Sequence, residues 1–353
     1  MSELLAPLLI FGGCCSNVYA LETILKHDMD SGLLITLMQF ILVALAVYPS
    51  QSSSSPPTFL KKTKIPMRVL FTSAAMFYAV NMLNNWAFAF NISVPVHIIL
   101  RSFGSVTTMV AGYLKGKSYS RLQIVAVITL TVGVMLSAWA DAIAKGKTAH
   151  VEKTENDNSS ALGLLILLVA QILSSYMGIY VQDTYAQYGT HWRENLFYSH
   201  LWSLPLFLPL QPTLSRQFTR LASSPPPHLP QSLVPYIPLA IQRLILRTPT
   251  SLYHLALNSA TQLVCITGVN LLGARSSAVT VTIVLNVRKL VSFLLSIWIF
   301  GNPMSGLMAL GAGLVFGAGA LYGWETSVGI KRRKALEGKE NGVAKKEELK
   351  KEL

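Results

Sequence analysis

The chain has 353 residues, of which 52% are hydrophobic and 13% charged, with a mean hydropathy of +0.46. A soluble domain carries about 25% charged residues, so this balance excludes an ordinary soluble protein and indicates a polytopic membrane protein. The net charge of +13 sits in loops and a tail, leaving no soluble basic domain and so no nucleic-acid partner; the lipid bilayer is the first partner.

A spanning helix needs roughly 20 mostly apolar residues. Ten segments of about that kind follow one another at 4–25, 33–49, 67–89, 95–114, 122–140, 161–182, 195–210, 252–272, 278–300 and 304–323. The fold class is therefore all-α, with about ten transmembrane helices. Residues 1–325 form one membrane domain, and 326–353 form a basic tail. The first segment lacks a basic region ahead of its apolar run, so it reads as a retained span. Near its end, Glu22 shares a helical face with Tyr19, Val18 and Cys15. That carboxylate is either a coupling acid or the ion-pair partner of a buried cation. Cys14, Cys15 and Cys265 all lie in apolar segments, and no disulfide framework is expected from them.

The third span is polar for its place, with Tyr78, Asn81, Asn84, Asn85 and Trp86. Asparagine offers both donors and acceptors, which serve equally to read a base or sugar or to join helices. The fourth span carries Arg101, on a face with His97, Ser105, Thr108 and Gly112. Arg101 either contacts an anionic substrate or pairs with a carboxylate such as Glu22, and the small residues allow close helix packing. Two sequons occur, at Asn91 and Asn158, and Asn158 in a polar loop is the better glycosylation candidate.

The seventh span opens with Tyr198, Ser199 and His200. Tyr198 either stacks on a planar base or belongs to an interfacial aromatic belt. A Pro-rich stretch over 211–251 follows, with an interfacial helix expected at 236–246. On the ninth span a 3.6-residue period places Thr282, Asn286, Lys289, Ser292 and Ser296 on one face, with Arg288 beside it. Arg288 and Lys289 either face a ligand or snorkel to an interface, which their depth of about ten residues disfavours. An anion held by these cations is the leading functional reading.

The fourth and ninth spans resemble each other: LRSFG…YLKGKSYS against VRKLV…WIFGNPMS. Such a repeat predicts two inverted five-helix halves, about 1–145 and 160–325, with a site at the midplane between halves. Basic loop residues from Lys61 to Arg68 and from Lys115 to Arg121, with the tail lysines, fall on one side. Both termini are therefore expected in the cytosol. The chain ends KKEL, and Lys350 and Lys351 have the form of a cytosolic retrieval address for the endoplasmic reticulum, read by coat proteins. No metal-ligand spacing, phosphate-binding glycine loop or nucleophile constellation is present. Neither an enzyme nor an ATP-driven pump is expected, no cofactor or metal is called for, and a homodimer is compatible with the chain.

GGCCSNVYALE, LRSFGSVTTMVAGYLKGKSYS, YGTHWRENLFYSHLWSLPLF and VLNVRKLVSFLLSIWIFGNP together resemble nucleotide-sugar transporters of the drug/metabolite transporter superfamily, in the subgroup of UDP-N-acetylglucosamine and UDP-xylose transporters that includes fungal endoplasmic-reticulum members. The resemblance implies ten helices in two inverted halves. It also implies exchange of a cytosolic nucleotide sugar for a lumenal nucleoside monophosphate, here UMP. By position, the seventh-helix sugar motif falls on Phe197, Tyr198, Ser199 and His200, with Ser199 where the family has asparagine. The ninth-helix nucleotide motif falls on Asn286, Arg288 and Lys289. The function expected is import of a UDP sugar, UDP-N-acetylglucosamine first, with Asn85 and Asn286 contacting base or sugar. UDP-xylose or another nucleotide sugar, a small-metabolite or drug exporter, and a non-transporting scaffold are the alternatives.

Overall fold

A computed structural model describes residues 4–28, 30–54, 59–87, 100–101, 103–144, 157–227, 247–300, 305–330 and 332. Some helical side chains within these ranges, those of Glu22 and Asn158 included, lie outside the described set. Among the described residues the structure is helical, apart from one isolated bridge between Ser52 and Leu60.

The helices are α1 (Leu5–His27), α2 (Gly32–Gln51), α3 (Met67–Ala87), α4 (Gly104–Leu114), α5 (Arg121–Ala144), α6 (Asp157–Tyr188), α7 (Trp192–Leu201), α8 (Gln211–Ala222), α9 (Thr250–Gly273), α10 (Ala278–Phe300) and α11 (Gly306–Trp324). Five stretches are long and apolar enough to cross a bilayer: Gly32–Gln51, Arg121–Ala140, Leu162–Tyr188, Thr250–Gly273 and Gly306–Gly329. With α1 apolar over Leu5–Leu21, this is a polytopic membrane protein. α3 has the length of a span, but Asn81, Asn84 and Asn85 dilute its apolar character.

The seventh span departs from expectation. It is not one helix: α7 stops at Leu201, and a 3₁₀ segment runs over Leu204–Leu210 before α8 begins. Pro205 and Pro209 explain the break. Neither has an N–H to donate, and each ring collides with the carbonyl four residues back in an α-helix. The amphipathic helix found is α8, whereas the expected one at 236–246 lies outside the described residues.

The helices gather into two compact units, Met1–Ile92 with Val151–Val281, and Ser93–His150 with Thr282–Leu353. In the first unit α1 and α9 run antiparallel at very close approach. A Cβ on Gly13 would stand 2.5 Å from the Cys265 nitrogen, and one on Gly268 would stand 2.8 Å from the Leu9 Cβ. Small residues allow such backbone proximity between membrane helices. Asn17 donates through Nδ2 to the Asn258 carbonyl at 2.7 Å, Asn258 Nδ2 donates to the Asn17 carbonyl at 3.2 Å, and Gln39 Nε2 donates to Asn258 Oδ1 at 2.7 Å. Three helices are thus joined by paired amides. Cys14 and Cys265 are disulfide-bonded across the same seam, with Cα atoms 4.8 Å apart. This corrects the expectation of no disulfide. The glycines bring the two backbones into bridging range, whereas 251 residues of intervening sequence hide the pairing from local reading. Cys15, its neighbour, is not part of this disulfide.

α8 packs onto the α1–α2 turn of the same unit. Leu214 and Leu221 enter a core with Ile24, Leu34, Ile35, Phe40, Phe207 and Leu255. Buried Gln217 accepts from the Leu34 N–H at 2.9 Å, satisfying a donor that the first turn of α2 leaves open, and donates to the Asp30 carbonyl. Arg220 pairs with the largely buried carboxylate of Asp28 at 3.2 Å and with exposed Asp30 at 3.4 Å; the exposed Arg220–Asp30 pair contributes about 0–1 kcal/mol.

The second unit repeats the glycine seam. α5 and α11 run antiparallel: Gln123 Nε2 donates to Thr326 Oγ1 at 3.1 Å, and Ala140 packs on Met308. Between these points Gly133 meets Gly311, where an added Cβ on Gly311 would stand 2.8 Å from the Gly133 carbonyl oxygen.

Candidate functional site

The second unit holds the cations. α10 spans 23 residues, and Lys289 lies midway along it. At 1.5 Å per residue each end is about 16 Å away, beyond the reach of a lysine stem. Lys289 folds back one turn and donates through Nζ to Asn286 Oδ1 at 3.1 Å, and Asn286 Nδ2 donates to Ser105 Oγ at 2.9 Å. The polar faces of the fourth and ninth spans thus meet, on α4 and α10. Ser105 is 0% exposed and Asn286 3%, while Arg288 and Lys289 are half-buried and Arg101 is exposed.

Arg101, Arg288 and Lys289 lie within electrostatic range of one another. Like charges raise each other's cost, and a low-dielectric setting magnifies that repulsion. An entering anion relieves it. Arginine offers two parallel donors to phosphate oxygens and lysine a mobile point charge, so the cluster is chemically suited to a phosphate-bearing ligand.

The other candidates belong to the first unit. Asn85 Nδ2 donates to Thr36 Oγ1 at 2.9 Å, tying α3 to α2. Asn81 Nδ2 turns back on the Phe77 carbonyl at 2.7 Å, and Asn84 does the same to Val80. Tyr19 is exposed. Tyr198 is 2% exposed, edge-on to Phe197 at 5.1 Å, in a core with Ile65 and Leu70. His200 is 3% exposed, bonded through Nδ1 to the Leu196 carbonyl at 2.7 Å and set against the rings of Phe40 and Phe77. Buried Ser199 accepts on its carbonyl from Ser203 Oγ at 2.7 Å. Here these three residues pack the unit, and Tyr198 would have to leave its cluster to stack on a base. His97, Asn91, Lys350, Lys351 and the side chains of Glu22 and Asn158 lie outside the described residues.

Sequence reasoning missed the roles of Glu194 and Asn195. The Glu194 carboxylate accepts from the Ile65 N–H at 2.8 Å and the Lys64 N–H at 3.1 Å, fixing the entry to α3. Asn195 Oδ1 accepts from Ser73 Oγ at 3.1 Å. The signal was an acid and an amide side by side at the mouth of an apolar segment.

The sequence pattern of the UAA transporter family matches residues 2–325. The chain belongs to the UAA transporter family. It is 43% identical to the UDP-N-acetylglucosamine transporter yea4 of Schizosaccharomyces pombe over 317 residues, 89% of this chain and 92% of that protein. It is 35% identical to the endoplasmic reticulum GDP-fucose transporter of Drosophila melanogaster, over 90% of this chain and 88% of that one. A crystal structure of a protein 12% identical covers 91% of this chain and 98% of its own, with a TM-score of 0.59, which is a likeness of fold alone. The family is one of transporters.

Proposed function

We propose that the chain imports a UDP sugar, UDP-N-acetylglucosamine before UDP-xylose, from the cytosol into the lumen of the endoplasmic reticulum or Golgi in exchange for UMP. The observation that carries the proposal is the position of Lys289 at the centre of α10, in one electrostatic cluster with Arg101 and Arg288. The 43% identity to a UDP-N-acetylglucosamine transporter over most of both chains supports the choice of cargo. Arg288 and Lys289 hold the phosphates, and Arg101 adds a third charge. With its site empty, the carrier keeps three mutually repelling cations close together, two of them half-buried, so it reorients readily only when loaded. UMP returning through the same cations completes an exchange cycle.

The two-half inverted plan belongs to this proposal. Counting spans, α1 and α3 are first and third, α6 and α9 are sixth and eighth. Exchanging the halves turns the α1–α9 pair into α6–α3, and α3 does pack on α6. The same exchange maps α5–α11 onto itself, as its reciprocal Gly133–Gly311 seam suggests. In this orientation both termini are cytosolic, and Lys350 and Lys351 face coat proteins.

The test is uptake into liposomes preloaded with UMP, offering labelled UDP-N-acetylglucosamine, UDP-xylose and GDP-fucose. Uptake of a UDP sugar that requires internal UMP is expected. Lys289→Ala, shown to be folded by its elution profile, loses about 30-fold or more of uptake efficiency, as loss of a charged contact to phosphate does. Uptake by that variant at the level of the parent protein would overturn the assignment of the site. Uptake of GDP-fucose alone would overturn the choice of base.

A further inference from the structure

We infer that Ser105 and Asn286 are positioning residues that aim the Lys289 ammonium at the cargo phosphates, and that neither reads the cargo itself. The inference rests on the anion-site reading above and assigns two of its residues a different task. The resemblance gave Asn286 to the nucleotide, yet Asn286 is 3% exposed and Ser105 0%, so neither offers a surface to a ligand.

Their hydrogen bonds form a directed relay. An ammonium only donates, so the oxygen of the Asn286 amide has to face Lys289. The amide nitrogen then points the other way and needs an acceptor. Ser105 Oγ supplies it at 2.9 Å, and Lys289 Nζ reaches Asn286 Oδ1 at 3.1 Å. Without a hydroxyl at 105 the amide nitrogen loses this acceptor, and the Asn286 side chain is no longer held from α4. Lysine carries a flexible four-carbon stem and three donors. The relay holds one donor and leaves two for phosphate oxygens. Because Ser105 lies on α4 and Lys289 on α10, the relay also ties the lysine's aim to the packing of these two helices.

The experiment compares Ser105→Ala and Ser105→Thr in the full-length protein, by half-saturation for labelled UDP-N-acetylglucosamine and by half-maximal competition with UMP. Alanine removes the acceptor and adds no volume, whereas threonine keeps the acceptor and adds a methyl group. Positioning predicts that Ser105→Ala weakens both cargoes about tenfold with the maximal rate largely kept, and that Ser105→Thr recovers most of the loss. A packing role predicts the reverse order, with threonine worse than alanine at this fully buried position, and that order would overturn the inference. Asn286→Ala removes the middle of the relay and is expected to reproduce the alanine phenotype. Should Ser105→Ala fail to fold, Asn286→Ala and Ser105→Thr still decide the matter. Parental kinetics in Ser105→Ala, with uptake lost in Lys289→Ala, would overturn the positioning role alone. Parental kinetics in Lys289→Ala would remove the anion site itself.

Discussion

Gly311→Ala tests whether the α5–α11 seam holds the second unit together. A Cβ at 311 would meet the Gly133 carbonyl oxygen at 2.8 Å, the Ser137 nitrogen at 2.9 Å and, closer still, the Ser137 hydroxyl. Two of the three are backbone atoms of a packed helix and have no rotamer to change. The seam must open by about half an ångström or more, and a gap of roughly 0.5–1 Å forfeits a quarter to a half of the dispersion energy at each contact. Alanine in place of glycine returns about 0.5–1 kcal/mol in helix propensity, while overpacking of this kind costs about 1–3 kcal/mol. Backbone contacts put the cost at the upper end, so destabilisation wins. At about 2–4 °C per kcal/mol for a domain of this size, the apparent melting temperature in detergent falls by about 3–8 °C. Gly317, on the same helix, has nothing within 4 Å of its hypothetical Cβ, so Gly317→Ala holds or slightly raises that temperature. The assay is the residual monodisperse peak after heating. Equal melting of the two variants would refute close helix approach as the source of stability.

Proteolytic cleavage within the polar sequence 145–156 is expected to yield two fragments that migrate together on a non-reducing gel and separate after reduction, because Cys14 and Cys265 are bonded; separate fragments under both conditions would show free thiols. Gln217→Ala should lower thermal stability by about 1–3 kcal/mol, since it leaves the buried Leu34 N–H without its acceptor; parental stability of that variant would contradict the docking of α8. Burial first, and the facing Tyr322 phenol second, push Tyr119 up to about 12. The folded state therefore holds this proton more tightly than the unfolded chain does. Its contribution is complete below pH 10 and is lost as pH rises from about 10 toward 12. Tyr119→Phe should flatten that alkaline decline, and an unchanged decline would assign it elsewhere.

Helix positions were legible because apolar runs of bilayer length survive any local detail. α2, α9 and α10 fall within a residue or two of the expected spans. The seventh span failed at Pro205 and Pro209, where composition still looked apolar while the backbone could no longer remain α-helical. At the site, the 3.6-residue period placed Asn286 and Lys289 on one face, and it separately placed Ser105 beside Arg101. That the two faces meet is a tertiary fact, and a single sequence does not state it. Gln217 with Leu34 and Asn17 with Asn258 are invisible for the same reason, being 183 and 241 residues apart. Tyr198 shows the converse: an aromatic at a span entry suggests stacking on a base, and here it packs among its neighbours.

The α1–α9 seam also sets a schedule for biogenesis. Asn17 finds its partner 241 residues later in the chain and Cys14 its partner 251 residues later. At roughly 5–20 residues per second of synthesis, the first helix waits about 12–50 s before the helix that completes it has been made. During that interval an unpaired amide faces lipid, and two adjacent thiols stand ready to react. The choice of Cys14 over Cys15 is settled only when Gly268 reaches Leu9 and the late helix presents Cys265 to one of them. Conditions that oxidise the nascent chain early would therefore trap material that has every span in place and the wrong sulfur spent.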